Sequence, residues 1–269
     1  MSTAPGRRAP RDAPTIAGRT GPRSARSWLG FLAGFAVLCG ALFGTSAVDA
    51  TGRWGLAILA AVLVTAVIVE RIRCGSSIAA TLRQLGLGRP GGRALLLALA
   101  VSGLVLLVFP ATAIVSGTAV TLRPDWPWLL VGVFAFHGLA EELVWRGFAF
   151  RRLREGRSFW AATCWTMPLI AVTHVPIVVA LGPAVGLGAM AVAAVTSMPL
   201  AYLYETGRRT IWAPALVHTA IDTFKLVLIP AAALPTFSLL IIVVSLTVPL
   251  LAFAVPRGIL TGPECRAGR

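Results

Sequence analysis

Residues 128–150 read WLLVGVFAFHGLAEELVWRGFAF, running from Trp128 to Phe150. This stretch is long enough to cross a bilayer, since a spanning helix needs about 20 predominantly apolar residues. Yet it carries Glu141, Glu142 and Arg146 in its middle. Each such residue costs about 2.5–3.5 kcal/mol at the centre of an inserted helix, and residues of this kind usually mark function. Neighbouring residues on a helix point about 100° apart, so the two glutamates cannot face the same way. Glu142 and Arg146 are four apart, on one face, in the favourable acid-before-base order for an ion pair. Glu141 is left for another role, which a purely architectural Glu–Arg clasp does not explain.

The rest of the chain is read around this segment. Hydrophobic residues make up 57% of the 269 and charged residues only 13%, against about 25% charged in soluble domains. Mean hydropathy is +0.83. So little polar surface cannot coat a water-exposed globule, and a membrane protein is expected. The same length ruler gives eight spans: Trp28–Val48, Trp54–Val69, Ala94–Val115, Trp128–Phe150, Phe159–Ala180, Ala184–Tyr204, Ile211–Ile229 and Phe237–Val255.

The formal net charge of +14 sits between the apolar runs rather than in a stripe interleaved with aromatics, which argues against nucleic acid and for membrane lipids. One set of loops holds the N-terminal arginines, then Arg71, Arg73, Arg83, Arg89, Arg93, Arg151, Arg152, Arg154, Arg157, Arg208 and Arg209, and the tail with Arg257, Arg266 and Arg269. The opposite set holds only Arg53 and Arg123 against Asp49 and Asp125. The positive-inside rule then predicts an all-α, polytopic bundle of about eight spanning helices in the cell membrane, both termini cytoplasmic. Residues 1–27, rich in Arg, Pro, Gly and Ser, read as a disordered basic cytosolic tail, 28–255 as the bundle and 256–269 as a second tail.

Ser76–Gly88 has Ile78, Leu82 and Leu85 at helical spacing. It reads as a short interfacial helix or a plain basic loop. The glycine pairs Gly30/Gly34 and Gly40/Gly44 are candidates for close helix approach. Trp54, Trp126, Trp128 and Trp160 fall near span ends, as interface anchors do. The four cysteines have no paired spacing and imply neither a disulfide framework nor a zinc ribbon.

All three histidines, His137, His174 and His218, lie within apolar spans. His218 and Asp222 are four apart in IWAPALVHTAID and share a face. A Glu, two His and an Asp from three helices can converge in a bundle core. By rise alone, Glu141 lies roughly 15 Å and His218 roughly 10 Å from the cytoplasmic end of their spans, while His174 comes out deeper. Lys225, one turn beyond Asp222, is expected to snorkel outward, with pairing to a buried acid as the alternative.

Three elements in order, Glu141-Glu142-x-x-x-Arg146, then His174, then His218-x-x-x-Asp222, resemble the CPBP family of intramembrane proteases. That family includes the CAAX prenyl proteases and bacterial relatives linked to bacteriocin immunity (Abi-like proteins). The matching stretch is Trp128 to Lys225. Two positions depart from the pattern: Ile170 stands where the family usually has Phe, and Asp222 where Asn is common. His137 has no counterpart in it.

The resemblance implies an intramembrane endopeptidase acting on a peptide or membrane-protein substrate, prenylated in some relatives, near the cytoplasmic face. Glu141 and His174 would activate a water. His218 and Asp222 would polarise the scissile carbonyl and stabilise the oxyanion, and Glu142 with Arg146 would hold the geometry. Zinc is left open, with Glu141, His174 and His218 as candidate ligands and a metal-free mechanism as the equal alternative; there is no HExxH. Two other classes stand beside this reading: a proton- or ion-coupled transporter using the acids and histidines as a relay, and an inactive membrane-bound scaffold or immunity protein. No internal repeat supports the transporter.

Overall fold

The computed structural model describes residues 24–47, 49 and 51–261. Most of the basic tail 1–27 therefore lies outside the described residues, as do 262–269 of the second tail. The fold is an all-α bundle. Its elements are α1 (Ala25–Ser46), α2 (Gly55–Cys74), the short α3 (Ile78–Gln84), α4 (Gly92–Ser116), strand β1 (Thr121–Leu122), α5 (Trp126–Arg154), α6 (Phe159–Leu181), α7 (Pro183–Thr206), α8 (Trp212–Asp222), strand β2 (Val227–Leu228), α9 (Ala231–Ala254) and α10 (Arg257–Thr261). Among the described residues, seven helices are long and apolar enough to cross a membrane.

α5 is the axis of the bundle. Its apolar window is 72% buried, whereas the other six long helices are buried by only 11–33% and turn the remainder outward, where lipid is their natural solvent. α1 lies on α5 through an aromatic stack, Phe31 against Phe148 at 5.9 Å and Phe35 against Trp145 at 5.5 Å. α4 breaks at Leu107, because Pro110 has no N–H to offer the carbonyl of Leu106 four residues earlier.

The loops sort onto two ends. At the arginine-rich end, the Ile211 amide donates to Gly86 O (3.0 Å) and the Trp212 indole to Gly88 O (2.9 Å). Arg93 reaches Ile259 O at 2.6 Å, and Arg257 lies 3.1 Å from Glu205. Arg157 lies over the Trp28 ring at the start of α1. At the other end Arg53 pairs with Asp125 (2.7 Å), and β1 and β2 form a two-residue antiparallel ladder. α3 is a helix rather than a plain loop, capped by Ser77, which accepts from the Ala80 amide.

One expected span is corrected. Ile211–Ile229 is not a full membrane helix: α8 has 11 residues and a single 3-10 turn, Thr223–Leu226, follows it. At 1.5 Å per residue this falls well short of the roughly 30 Å hydrocarbon core. α8 still runs from the Gly86 loop at one end to β1 at the other. Its non-helical finish is met by other protein backbone: Val227 and Leu228 pair with Leu122 and Thr121 in the β1–β2 ladder, and Leu226 O accepts from the Arg123 amide, as non-helical backbone at membrane depth requires.

α2 also runs further than expected, to Cys74. Its fully buried Glu70 is held by Arg151 (2.5 Å) and Arg152 (2.7 Å) at the end of α5. Those two arginines neutralise it, so the helix need not stop before it.

Close packing rests on other glycines than the expected pairs alone. Gly34 abuts Phe148 and Val69, and Gly30 abuts Arg73, but a Cβ at Gly40 or Gly44 would meet open space. The tightest approach is between Gly52, Gly55 and Gly132, where a Cβ on Gly132 would run into the Gly52 carbonyl and one on Gly55 into the Gly132 carbonyl. Gly132→Ala is therefore expected to destabilise the protein by about 1–3 kcal/mol, the usual cost of overpacking. Gly40→Ala, inside α1 with open space around it, should cost nothing and stabilise by up to about 1 kcal/mol. Thermal unfolding of both variants in detergent checks this.

Candidate active site

The residues that the membrane should reject meet on one side of α5. This helix is wound unusually: Phe134–Ala140 and Leu143–Phe150 are π-helical, on either side of Glu141 and Glu142. Such wide turns are rare and occur frequently at functional sites. Gly138, in the first of them, lets α8 come close, since a Cβ there would strike the Thr219 hydroxyl and sit 3.1 Å from Ala215 O. Gly147, in the second, does the same for the backbone of Leu85.

Glu142 is fully buried. Its Oε1 accepts from Arg146 Nη1 (2.6 Å) and from His218 Nδ1 (2.8 Å), and Arg146 also reaches Ser197 O on α7 at 3.4 Å. An ionised carboxylate only accepts, so His218 donates from Nδ1. Its other nitrogen, Nε2, then faces Asp222 Oδ2 at 3.5 Å and Glu141 Oε2 at 3.6 Å. Glu142 Oε2 is buried without a hydrogen-bond partner.

Glu141 points away from Glu142, as its place on the helix requires, and its Oε1 lies 2.7 Å from His137 Nδ1. Glu141, His218 and Asp222 keep side-chain exposures of 20%, 17% and 16%, against 0% for Glu142. The first three stay partly accessible, while Glu142 and Arg146 are enclosed behind them.

Of the six residues singled out in the sequence, five come together: Glu141, Glu142, Arg146, His218 and Asp222. His174 does not join them. It sits on α6, the least buried of the long helices, with Nδ1 against Ile170 O at 2.9 Å and, among the described residues, no acid within ion-pair distance. Two residues given no part in the site complete the cluster. His137 touches Glu141, and Lys225 contacts His137 Nε2 and lies 3.8 Å from Asp222 Oδ1. Lys225 does not snorkel outward; the spacings 137/141 and 222/225 were the available signal for both residues.

The proposed zinc ligands are not assembled. Among the described residues, no group of three His, Cys, Asp or Glu is arranged to hold a metal ion. Glu141 and His218 face each other, while His174 is turned to its own helix. The described residues do not fit a zinc site of the three-ligand kind.

Residues 123–224 match the family model described as Type II CAAX prenyl endopeptidase Rce1-like. The match is consistent with a CPBP-type intramembrane protease core in this stretch. The matched stretch contains all of α5, α6, α7 and α8, and stops one residue before Lys225. No curated protein and no solved structure matches the chain. Among the described residues seven helices are long and apolar enough to span, three of them within the matched stretch, and the chain is a multi-pass membrane protein.

The Glu142–Arg146 pair makes a specific demand on stability. Removing one partner of a buried pair leaves an uncompensated charge, at a cost of about 3–5 kcal/mol. Arg146→Met is expected to lose that much. The double variant Glu142→Leu/Arg146→Met should regain part of it, because two apolar side chains leave no orphaned charge. Reversible unfolding in mixed micelles measures both.

Proposed function

We propose that this protein hydrolyses a peptide bond within or at the edge of the membrane. The arginine-rich end faces the cytoplasm, and Glu141 is the general base. The observation that carries this reading is the gap between Glu141 Oε2 and His218 Nε2. At 3.6 Å it is too long for a direct hydrogen bond, and a water beside the two atoms can hydrogen-bond to both.

Glu141 takes a proton from that water as the oxygen attacks the scissile carbonyl, and later returns it to the leaving amine. His218, fixed through Nδ1 by Glu142, presents Nε2 to the carbonyl oxygen. When that nitrogen is protonated it donates to the developing oxyanion, and Asp222 beside it stabilises the imidazolium. Glu142 and Arg146 hold His218 in place without touching substrate. Preorganised groups in a water-poor site act strongly, because little reorganisation accompanies the reaction.

The substrate class this reading supports is a peptide anchored at the membrane, with prenylated C-terminal peptides as the first to try, since the family description names a CAAX prenyl endopeptidase. His174 has no step in the arrangement described. The role that the resemblance gives it requires His174 to leave Ile170 O and reach the cluster.

Cleavage of membrane-anchored and prenylated peptides by the purified protein in lipid tests the proposal. Glu141→Gln and His218→Ala are each expected to lower kcat by about 10²–10⁴-fold, the usual contribution of a positioned acid–base group. Cleavage that persists in both removes the assignment. A loss of equal size in His174→Ala would bring His174 to the cluster during turnover. Undiminished cleavage in that variant would leave Glu141 and His218 as the reacting set.

A further inference from the structure

Behind Glu141 stands a pair of residues for which the proposed hydrolysis has no use so far. His137 lies one helical turn before Glu141 on α5 and is 8% exposed. Lys225 belongs to the 3-10 turn after α8 and touches the far side of the same imidazole. Its backbone is pinned, because Leu226 O accepts from the Arg123 amide at 2.9 Å and Val227 is locked into the β1–β2 ladder. The ammonium lies between Asp222 Oδ1, at 3.8 Å, and the rings of Phe136 and Phe224, at 6.0 and 5.7 Å. This is a cation held in place by an acid and two aromatic faces.

We infer that Lys225 and His137 form a positioning relay that fixes the Glu141 carboxylate for catalysis. This inference rests on the proteolytic reading above. An ammonium has three donors and no acceptor, so the imidazole nitrogen it touches, Nε2, must accept. The ring proton then sits on Nδ1, because the hydrogen bond at one ring nitrogen sets the tautomer at the other. Nδ1–H donates to Glu141 Oε1 at 2.7 Å. If the shared proton passes from the ammonium to Nε2, Nδ1 keeps its own and the bond to Glu141 is unchanged. Either way Oε1 is occupied, and Oε2 is the oxygen left facing His218.

Charge points the same way. The cluster holds three carboxyl groups, Glu141, Glu142 and Asp222, against the two basic side chains Arg146 and Lys225. Arg146 is committed to Glu142, so Lys225 is the cation that serves Glu141 and Asp222. A lysine with this role has to face inward at membrane depth.

Nitrogen NMR on the full-length protein, labelled with ¹⁵N-histidine in lipid nanodiscs, reads the relay directly, because the chain has only three histidines. His174→Ala and His137→Gln assign the signals. The wild type is expected to show His137 protonated on Nδ1. Lys225→Met should shift its Nε2 resonance and lower kcat on a membrane-anchored peptide by at least about tenfold, as small misplacements of a catalytic group do, with KM within about twofold. Lys225→Arg, which restores a cation, should recover part of kcat.

A His137 protonated only on Nε2 overturns the relay, as does a Lys225→Met variant with unshifted His137 signals. A shifted signal with undiminished kcat overturns its catalytic role. A wild-type chain that cleaves no peptide, yet shows the Lys225-dependent shift, overturns the proteolytic reading and keeps the contact. Should Lys225→Met fail to fold, Lys225→Arg against His137→Gln makes the same comparison.

Discussion

Ionised groups at membrane depth must find one another, and the interior of this protein is organised around that requirement. Glu142 at the heart of α5 is fully buried and is met by Arg146 from its own helix and His218 from α8. Take away either neighbour and the carboxylate faces hydrocarbon, where its desolvation is not offset. The demand spreads outward. His218 must be held at a fixed height, so α8 must pack closely on α5, which Gly138 permits, and α8 must stay enclosed by protein because it is too short to be a stable span in lipid.

The same logic operates a second time at the arginine-rich end. Glu70 on α2 is buried between Arg151 and Arg152, so the central helix is tied to α2 by charge just beyond the wound π segment. Between the two clusters α5 is held by aromatic contacts with α1, and ahead of both Gly132 packs against Gly52 and Gly55. A helix anchored at this many points can present Glu141 at a reproducible angle. That suits the general base of the proposed hydrolysis, whose carboxylate has to meet a water held by a different helix. Peripheral α6, by contrast, turns most of its surface outward and leaves His174 on its own backbone carbonyl.

Much of this was legible in the chain. Length and hydropathy gave the long spans, since the requirement for about 20 apolar residues needs no knowledge of neighbours. Helical spacing gave the Glu142–Arg146 pair and the shared face of His218 and Asp222. Other features were hidden. The extension of α2 past Val69 depends on Arg151 and Arg152, about eighty positions away, and no local pattern reports such a partner. The shortness of α8 depends on a strand pairing with residues more than a hundred positions earlier. Gly40 and Gly44 look like packing glycines in the sequence but face open space, while Gly52, Gly55 and Gly132 make the tight contact.

The sequence by itself determined that this chain enters a membrane, where its long helices run, and which acids and bases lie on a common helical face. These follow from local chemistry: the transfer free energy of side chains and the period of the helix. Only the tertiary structure decided which faces meet. It placed Glu141 against His137 and His218 rather than His174, turned Lys225 inward, and kept three candidate ligands from forming one metal site. Meeting depends on how closely helices can approach and in what register. Those are properties of pairs of surfaces, and a single helix's periodicity does not contain them.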